Sequence, residues 1–210
     1  MLFVFLFILI LIILYKKNKK FKCRQSPINI KSSKSIISSN LLIIEYLNKI
    51  IKANLKFIDN NYQYFFPDKP IISFNNEKFE LVQLHFHNPS EHHIDNKNYQ
   101  MEAHFVHKQI NKDHYLVIGF LIEKGKKGPF DDFIQAKNTG LLKLDKKLLG
   151  KSYYYYPGSL TTNPYSSNVS WILFDKPIKS KYIDFWNKDY GKARKIQENS
   201  NSEVFKFSFN

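Results

Sequence analysis

The stretch Phe79–His87, Phe-Glu-Leu-Val-Gln-Leu-His-Phe-His, constrains the fold more than any other part of the chain. In a β-strand, successive side chains point to opposite faces. Read that way, Leu81, Gln83, His85 and His87 share one face, and Val82, Leu84 and Phe86 form an apolar reverse face. Met101–His107 repeats the period. Glu102, His104 and Val106 lie on one side, with Ala103, Phe105 and His107 on the other. Further strand-like runs are Asn54–Asp59, Tyr62–Phe66, Tyr115–Ile122 and Val169–Phe174. Turn-forming clusters at 59–61, 75–76, 95–98 and 125–129 separate them. Asp131–Lys137 and Lys181–Lys188 are the helix candidates, and Leu41–Lys52 stays open between helix and strand. The pattern predicts a mostly β chain with few short helices, and 210 residues suit one domain.

Two imidazoles at i and i+2 of a strand converge on one point. A neighbouring strand lies about 4.8 Å away, within reach of a third imidazole from His104. Three neutral imidazoles with an open fourth position make the donor set of a catalytic zinc site. Gln83 and Glu102 each stand two residues before a candidate ligand on its own face. They are placed to accept the other ring N–H and fix the tautomer. Spacing alone leaves a second reading open, in which His85 and His87 are two strand histidines in a polar cleft. The single cysteine, Cys23, excludes a disulfide framework and any cysteine-built metal cluster.

Ahead of this lies an uninterrupted apolar run, Met1–Leu14, closed by Tyr15 and followed by five lysines between Lys16 and Lys22. Residues 1–15 read as a hydrophobic membrane anchor or uncleaved signal, and 16–22 as its basic flank. At about 1.5 Å per residue the run falls short of the ~30 Å hydrocarbon core, so thinning or lysine snorkelling must make up the difference. A cleaved signal peptide, leaving a secreted domain, is the alternative. Against it stand the lack of a positive residue before the run and of a small-x-small site after it. A buried core helix is the third reading, disfavoured by the absence of a polar face. Lysine-rich flanks favour the cytoplasmic side, which conflicts with a secreted domain, so the side of the membrane stays open. The formal net charge of +14 suggests nucleic acid at first sight. The membrane-flanking cluster and the scatter of the remainder (Lys126-Lys127, Lys146-Lys147, Lys179, Lys181) argue against it. Polyanion binding, such as to glycosaminoglycans, remains as a second functional reading.

Several motifs, in order, carry a resemblance. They are Gln25-Ser26-Pro27-Ile28-Asn29-Ile30, Gln83-Leu-His-Phe-His87, Ser90-Glu91-His92, Glu102-Ala-His-Phe-Val-His107, and Tyr156-Pro-Gly-Ser-Leu-Thr-Thr162 followed by Val169-Ser-Trp-Ile172. From about Gln25 to its C-terminus the chain resembles the α-class carbonic anhydrases, and the short join His87–Glu91 is more similar to the bacterial branch. The resemblance implies a domain over 23–210 built on one large twisted, mainly antiparallel central sheet. It implies zinc-dependent reversible hydration of carbon dioxide to bicarbonate and a proton, by attack of zinc-bound hydroxide.

Residue by residue, the resemblance implies Zn2+ on His85, His87 and His104, with Thr161 a gatekeeper hydroxyl donating to Glu91. Val106, Val117, Leu160 and Trp171 would form the apolar wall for CO2, and Thr162 would line the bicarbonate side. His92, His107 and Tyr156 are similar to structural residues of the family. His93 and His114 carry no signal. Tyr62 falls where fast members carry a shuttle histidine. With an ordinary pKa near ~10, a tyrosine relays protons poorly at neutral pH. Cys23 stands where secreted members place half of a disulfide, and Tyr165 stands at the partner position, so no bridge forms within the chain. Ala193–Gln197 is similar to a degenerate form of the family's final docking strand. Asn168-Val-Ser170 is a glycosylation sequon on a strand approach, where a folded site leaves little room for modification.

Overall fold

The computed structural model describes residues 24–38, 42–136, 139–186, 189–198, 200 and 202–208. The anchor, basic flank and Cys23 readings lie outside the described residues. Among the described residues, no helix is long and apolar enough to cross a membrane.

In chain order the strands are β1 (Asn29–Ile30), β2 (Ile36–Ile37), β3 (Leu42–Ile44), β4 (Ile50–Ile58), β5 (Asn61–Phe65), β6 (Ile71–Phe74) and β7 (Glu77–His87). They continue as β8 (His93–Ile94), β9 (Met101–Gln109), β10 (Tyr115–Lys124), β11 (Thr139–Lys143), β12 (Ser152–Gly158), β13 (Val169–Ser180) and β14 (Phe205–Ser208). The main sheet runs β11-β4-β5-β7-β9-β10-β13-β12-β14-β2, with β6 also on β7 and β3 on β6. Its pairings are antiparallel except β10–β13 and β14–β2, so the mainly antiparallel expectation matches. β1 and β8 form a separate parallel pair.

The sheet separates two apolar layers. One face carries the larger core, with Leu84, Phe86, Phe105, Ile118, Phe120, Ile172 and Phe174 all buried. The other carries Val106, Val117, Leu121, Tyr154, Tyr156, Trp171 and Leu173, packed under the β1–β8 segment through Ile28, Ile30 and Ile94. Strands buried on both faces lose the polar alternation that marks a half-exposed strand. That accounts for β12, Ser-Tyr-Tyr-Tyr-Tyr-Pro-Gly, which sequence periodicity does not single out.

Among the described residues helices are few and short, as expected. In the helix candidate Asp131–Lys137, of which residues 131–136 are described, one turn forms, α1 (Asp131–Ile134), in which Asp131 accepts from the Gly128 amide and the Ser180 hydroxyl. In the helix candidate Lys181–Lys188, of which residues 181–186 are described, Ile183–Phe185 forms a 3-10 turn. Of the ambiguous stretch Leu41–Lys52, the described residues 42–52 form β3, a turn and the start of β4.

The alternation within β7 also needs correction. The β7–β9 register slips between Leu81 and Gln83, a bulge that leaves Val82 without a partner on β9. An extra residue reverses the in/out alternation on one side of the bulge. Leu81 therefore joins Phe79, Leu84 and Phe86 in the larger core instead of the histidine face, and Val82 is only half-buried.

Candidate metal centre

Strand register assembles the site in rows. His85 on β7 pairs directly with His104 on β9. His104 in turn faces Gly119 on β10, and Gln63 on β5 lies on the other side of His85. One pleat away, Gln83, Val106, Val117 and Trp171 form a parallel row across β7, β9, β10 and β13. His87, two residues beyond His85, lies across from Glu102. One ring nitrogen from each of His85, His87 and His104 lies within 4.8 Å of the other two. The ring centroids are 4.7–5.1 Å apart.

The outer hydrogen bonds decide which nitrogens point inward. His87 Nδ1 donates to the Gly191 carbonyl at 3.0 Å, leaving Nε2 buried with no partner. Gly191 has φ 59°, and a Cβ there would stand 2.2 Å from the Phe86 carbonyl oxygen, so glycine is required. His104 Nε2 donates to Glu102 Oε1 at 2.8 Å, leaving Nδ1 for the centre. Glu102 is fully buried and also accepts from His92, from Nδ1 on Oε1 and from the backbone N–H on Oε2, each at 2.8 Å. The Tyr156 hydroxyl then joins His92 Nε2 (2.5 Å) to Ser26 Oγ (2.9 Å). His92, Glu102 and His104 are close enough to suggest a second metal group. Their facing atoms already share protons with one another, so they are a hydrogen-bonded support for His104 instead.

Gln83 does not take the part expected of it. Its Oε1 and His85 Nδ1 are both buried, and neither has a hydrogen-bond partner. Thr161 and Glu91 are likewise not joined. Glu91 Oε1 accepts from the Arg194 backbone N–H at 2.8 Å. Glu91 Oε2 is buried and unpartnered, 3.6 Å from His87 Nε2 and 3.9 Å from His104 Nδ1.

Electrostatics follow from this burial. Burial, reinforced by the neighbouring imidazoles of His87 and His104, holds the His85 pKa well below its ordinary value. Burial also lowers that of His87, against the pull of Glu91. Both rings are therefore neutral, with lone pairs free. For His104, burial opposes protonation, but the Glu102 carboxylate, its hydrogen bond and Glu91 outweigh it and raise the pKa. For Glu102, burial favours the neutral acid, but His92 and His104 prevail and hold the pKa well below the carboxylate range. Glu102 is thus a fixed anion against which His104 is oriented.

The three histidines line a cavity of about 800 Å³. Val106, Val117, Leu160 and Trp171 line it together with Thr161 and Thr162, so the expected wall residues meet at one place. The Trp171 indole N–H donates to the Ser159 carbonyl at 2.9 Å, which fixes the ring beside His104. Tyr62 is not part of the lining. Gln63 pairs with His85, so Tyr62 points to the opposite face of β5 and packs on Phe57, Trp186 and Tyr190. Asn61 and Gln63 line the cavity on that side instead. His107 lies in the larger core between the Tyr46 hydroxyl (2.8 Å) and the Leu116 carbonyl (3.1 Å), and burial lowers its pKa to about 4.

Sequence reasoning missed Gly191, Lys192, Tyr115 and Asp189 as cavity residues, and Arg194 as the partner of Glu91. Apart from Tyr115, these lie in a stretch without strand or helix period. Its only local cue is the punctuating glycine at 191.

The donor set suits zinc: three converging imidazoles, of which His87 and His104 have the outer nitrogen tied to an acceptor and the inner one aimed at the centre. The eukaryotic-type carbonic anhydrase family matches residues 16–203. Alpha carbonic anhydrase 8 of Arabidopsis thaliana is 33% identical over 76% of this chain and 45% of its own length. A carbonic anhydrase of Nostoc sp. is 31% identical over 75% of this chain and 64% of its own. The chain thus spans about half to two-thirds of the length of these curated relatives. Among solved structures, the α-carbonic anhydrase of Thermovibrio ammonificans in complex with sulfanilamide superposes with a TM-score of 0.73. It is 27% identical and covers 87% of this chain and 86% of that one. With the family match over residues 16–203 and the structural superposition in agreement, the chain belongs to the eukaryotic-type carbonic anhydrase family.

Proposed function

We propose that the protein holds Zn2+ on His85, His87 and His104 and catalyses the reversible hydration of carbon dioxide to bicarbonate and a proton. The observation that carries this is the convergence of three imidazoles, two of them with the outer ring nitrogen fixed, at a cavity with an apolar wall. Bound there, zinc would acidify water and so supply a hydroxide nucleophile at neutral pH, as is general for carbonic anhydrases.

The remaining work falls to this chain's own groups. Val106, Val117, Leu160 and Trp171 give CO2, which has no net charge or dipole, an apolar surface next to the histidines. Thr161 and Thr162, which also line the cavity, would offer hydroxyls to the charged product. Glu91 Oε2, buried and unpartnered, is the acceptor available to the Thr161 hydroxyl. Glu102 keeps His104 in the tautomer that presents Nδ1. No histidine beyond the three lines the cavity among the described residues, so the released proton depends on external buffer. Residues 1–15 with their lysine flank support tethering of this domain to a membrane.

The test is zinc stoichiometry and CO2 hydration by the full chain, with and without an aromatic sulfonamide. Bound zinc with inhibitor-sensitive hydration supports the proposal. A folded, zinc-loaded protein without hydration refutes it. The polyanion reading gains little from the surface. Lys97 and Lys179 pair with Glu123, Lys112 with Glu77 and Lys124 with Asp184, which disperses the basic excess. Retention on heparin that collapses with salt would restore it.

A further inference from the structure

Arg194 lies outside the cavity, yet it touches three separate parts of the site. Its backbone N–H holds Glu91 Oε1 at 2.8 Å. Its Nη1 donates to the Ser26 carbonyl at 2.6 Å and to Gln25 Oε1 at 3.0 Å. Its guanidinium carbon stands 3.8 Å from the centre of the Tyr165 ring. Gln25 closes the circuit, donating from Nε2 to the Tyr165 carbonyl at 3.2 Å.

Tyr165 belongs to the loop that carries Thr161 and Thr162. That loop is folded on itself by two backbone bonds, Leu160 N–H to the Ser166 carbonyl (3.0 Å) and Tyr165 N–H to the Thr162 carbonyl (2.8 Å). Tyr165 has φ 60°, the left-handed region that a bulky non-glycine residue seldom adopts. Such a conformation persists where surrounding contacts over-determine it. Here those contacts are the flat guanidinium stacked on the ring and the Gln25 side chain on the carbonyl. A planar, always-charged guanidinium stacks on an aromatic face and donates in its own plane at once, which a lysine cannot do.

We propose that Arg194 is a positioning residue for the threonine side of the cavity. Its side chain clamps the 160–167 loop through Tyr165 while its backbone fixes Glu91. One residue thus reaches both Glu91 and the loop that carries Thr161 and Thr162. This inference rests on the carbonic anhydrase reading given above, because it assigns the clamp a role in handling substrate and anions. The backbone bond to Glu91 survives any replacement except proline, so side-chain variants isolate the clamp.

The experiment uses the full chain with Arg194→Met, Arg194→Lys, Tyr165→Leu and the Arg194→Met/Tyr165→Leu double variant. Metal-free protein is followed by amide hydrogen exchange at Leu160 and Tyr165. Exchange there is expected to rise about tenfold or more in Arg194→Met and Tyr165→Leu, and less in Arg194→Lys. The double variant should be no worse than either single one, because both remove the same contact. Exchange at Phe105 and Ile118 in the sheet should stay unchanged. Zinc-loaded protein is assayed for inhibition by azide and perchlorate, which carry no transferable proton. Inhibition constants are expected to fall several-fold in the clamp variants at unchanged zinc stoichiometry. Unchanged loop exchange, additive effects in the double variant, or acceleration spread equally through the sheet would each overturn the proposal. Faster loop exchange with an unaltered anion profile would also overturn it, leaving only a structural tie. Should wild type bind no zinc and hydrate no CO2, the functional reading fails, while the exchange data still decide whether the clamp exists.

Discussion

Replacing Glu102 with Gln changes one buried atom type and no volume. The carboxylate is fully buried and accepts three hydrogen bonds: His104 Nε2 and His92 Nδ1 on Oε1, and the His92 backbone N–H on Oε2, all at 2.8 Å. A glutamine carbonyl can stand in for only one of those oxygens. In one orientation its NH2 meets two imidazole N–H groups; in the other it meets the His92 amide. Either way at least one buried donor loses its acceptor, which costs about 1–3 kcal/mol of stability. The charge-assisted component of the His104 bond is lost as well. Removal of such an outer acceptor typically weakens metal binding about 10–100-fold, or about 1.4–2.8 kcal/mol. We expect a zinc dissociation constant higher by that factor in competition with a chromophoric chelator at pH 7.5. The metal-free protein should also unfold at lower urea. Acid adds a second check. Because the folded carboxyl pKa is depressed, its stabilisation is complete above the unfolded pKa and lost as pH falls through the folded one. The Gln variant should lack that acid-dependent loss. A zinc affinity within threefold of wild type, with unchanged metal-free stability, would refute the reasoning.

If hydration is confirmed, turnover should be limited by proton release and rise with added imidazole, since Tyr62 faces away from the cavity; a fast rate independent of buffer would count against this. His107, with a pKa lowered to about 4 by burial, is neutral when folded, so its contribution is complete above pH ~6.5. It is lost as pH falls towards 4, by up to about 3 kcal/mol. An NMR midpoint for His107 near 6.5 would contradict this. Gly119→Ala would set a Cβ 2.6 Å from Leu173 Cδ1 and 2.8 Å from Glu102 Oε1. Since three bonds hold that carboxylate, overpacking of about 1–3 kcal/mol and weaker zinc binding are expected, read by thermal unfolding and chelator competition. Wild-type stability in the variant would show that Leu173 and Glu102 yield freely.

The convergence of the three imidazoles was legible because strand alternation is a local property. His85 and His87 share a face wherever that part of β7 lies, and Glu102 and His104 share one on β9. The bulge at Val82 was not legible, since nothing in Glu-Leu-Val-Gln-Leu marks one valine as the extra residue; register with β9 decides it. Tyr62 was misplaced for the same reason. Which face of β5 meets the histidines depends on the Gln63–His85 pairing. The partners supplied by irregular backbone, Gly191 for His87 and Arg194 for Glu91, carry no periodic signal at all. Glu102 was read as serving His104, but its second duty to His92 required the fold to bring the 91–92 turn against β9.

The parallel β10–β13 pair bears on how the site is assembled in time. His85, His87 and His104 sit on antiparallel neighbours joined by a short connection, so the ligands can gather early at small loop-closure cost. The Val117–Trp171 contact joins strands that run the same way. It therefore waits for the whole stretch from Lys124 to Val169 to cross over and return. Contacts of such long sequence separation form slowly. If the proposed zinc site holds, the hairpin that carries the three imidazoles is expected to close before the apolar wall, so affinity for the ion would precede the finished cavity.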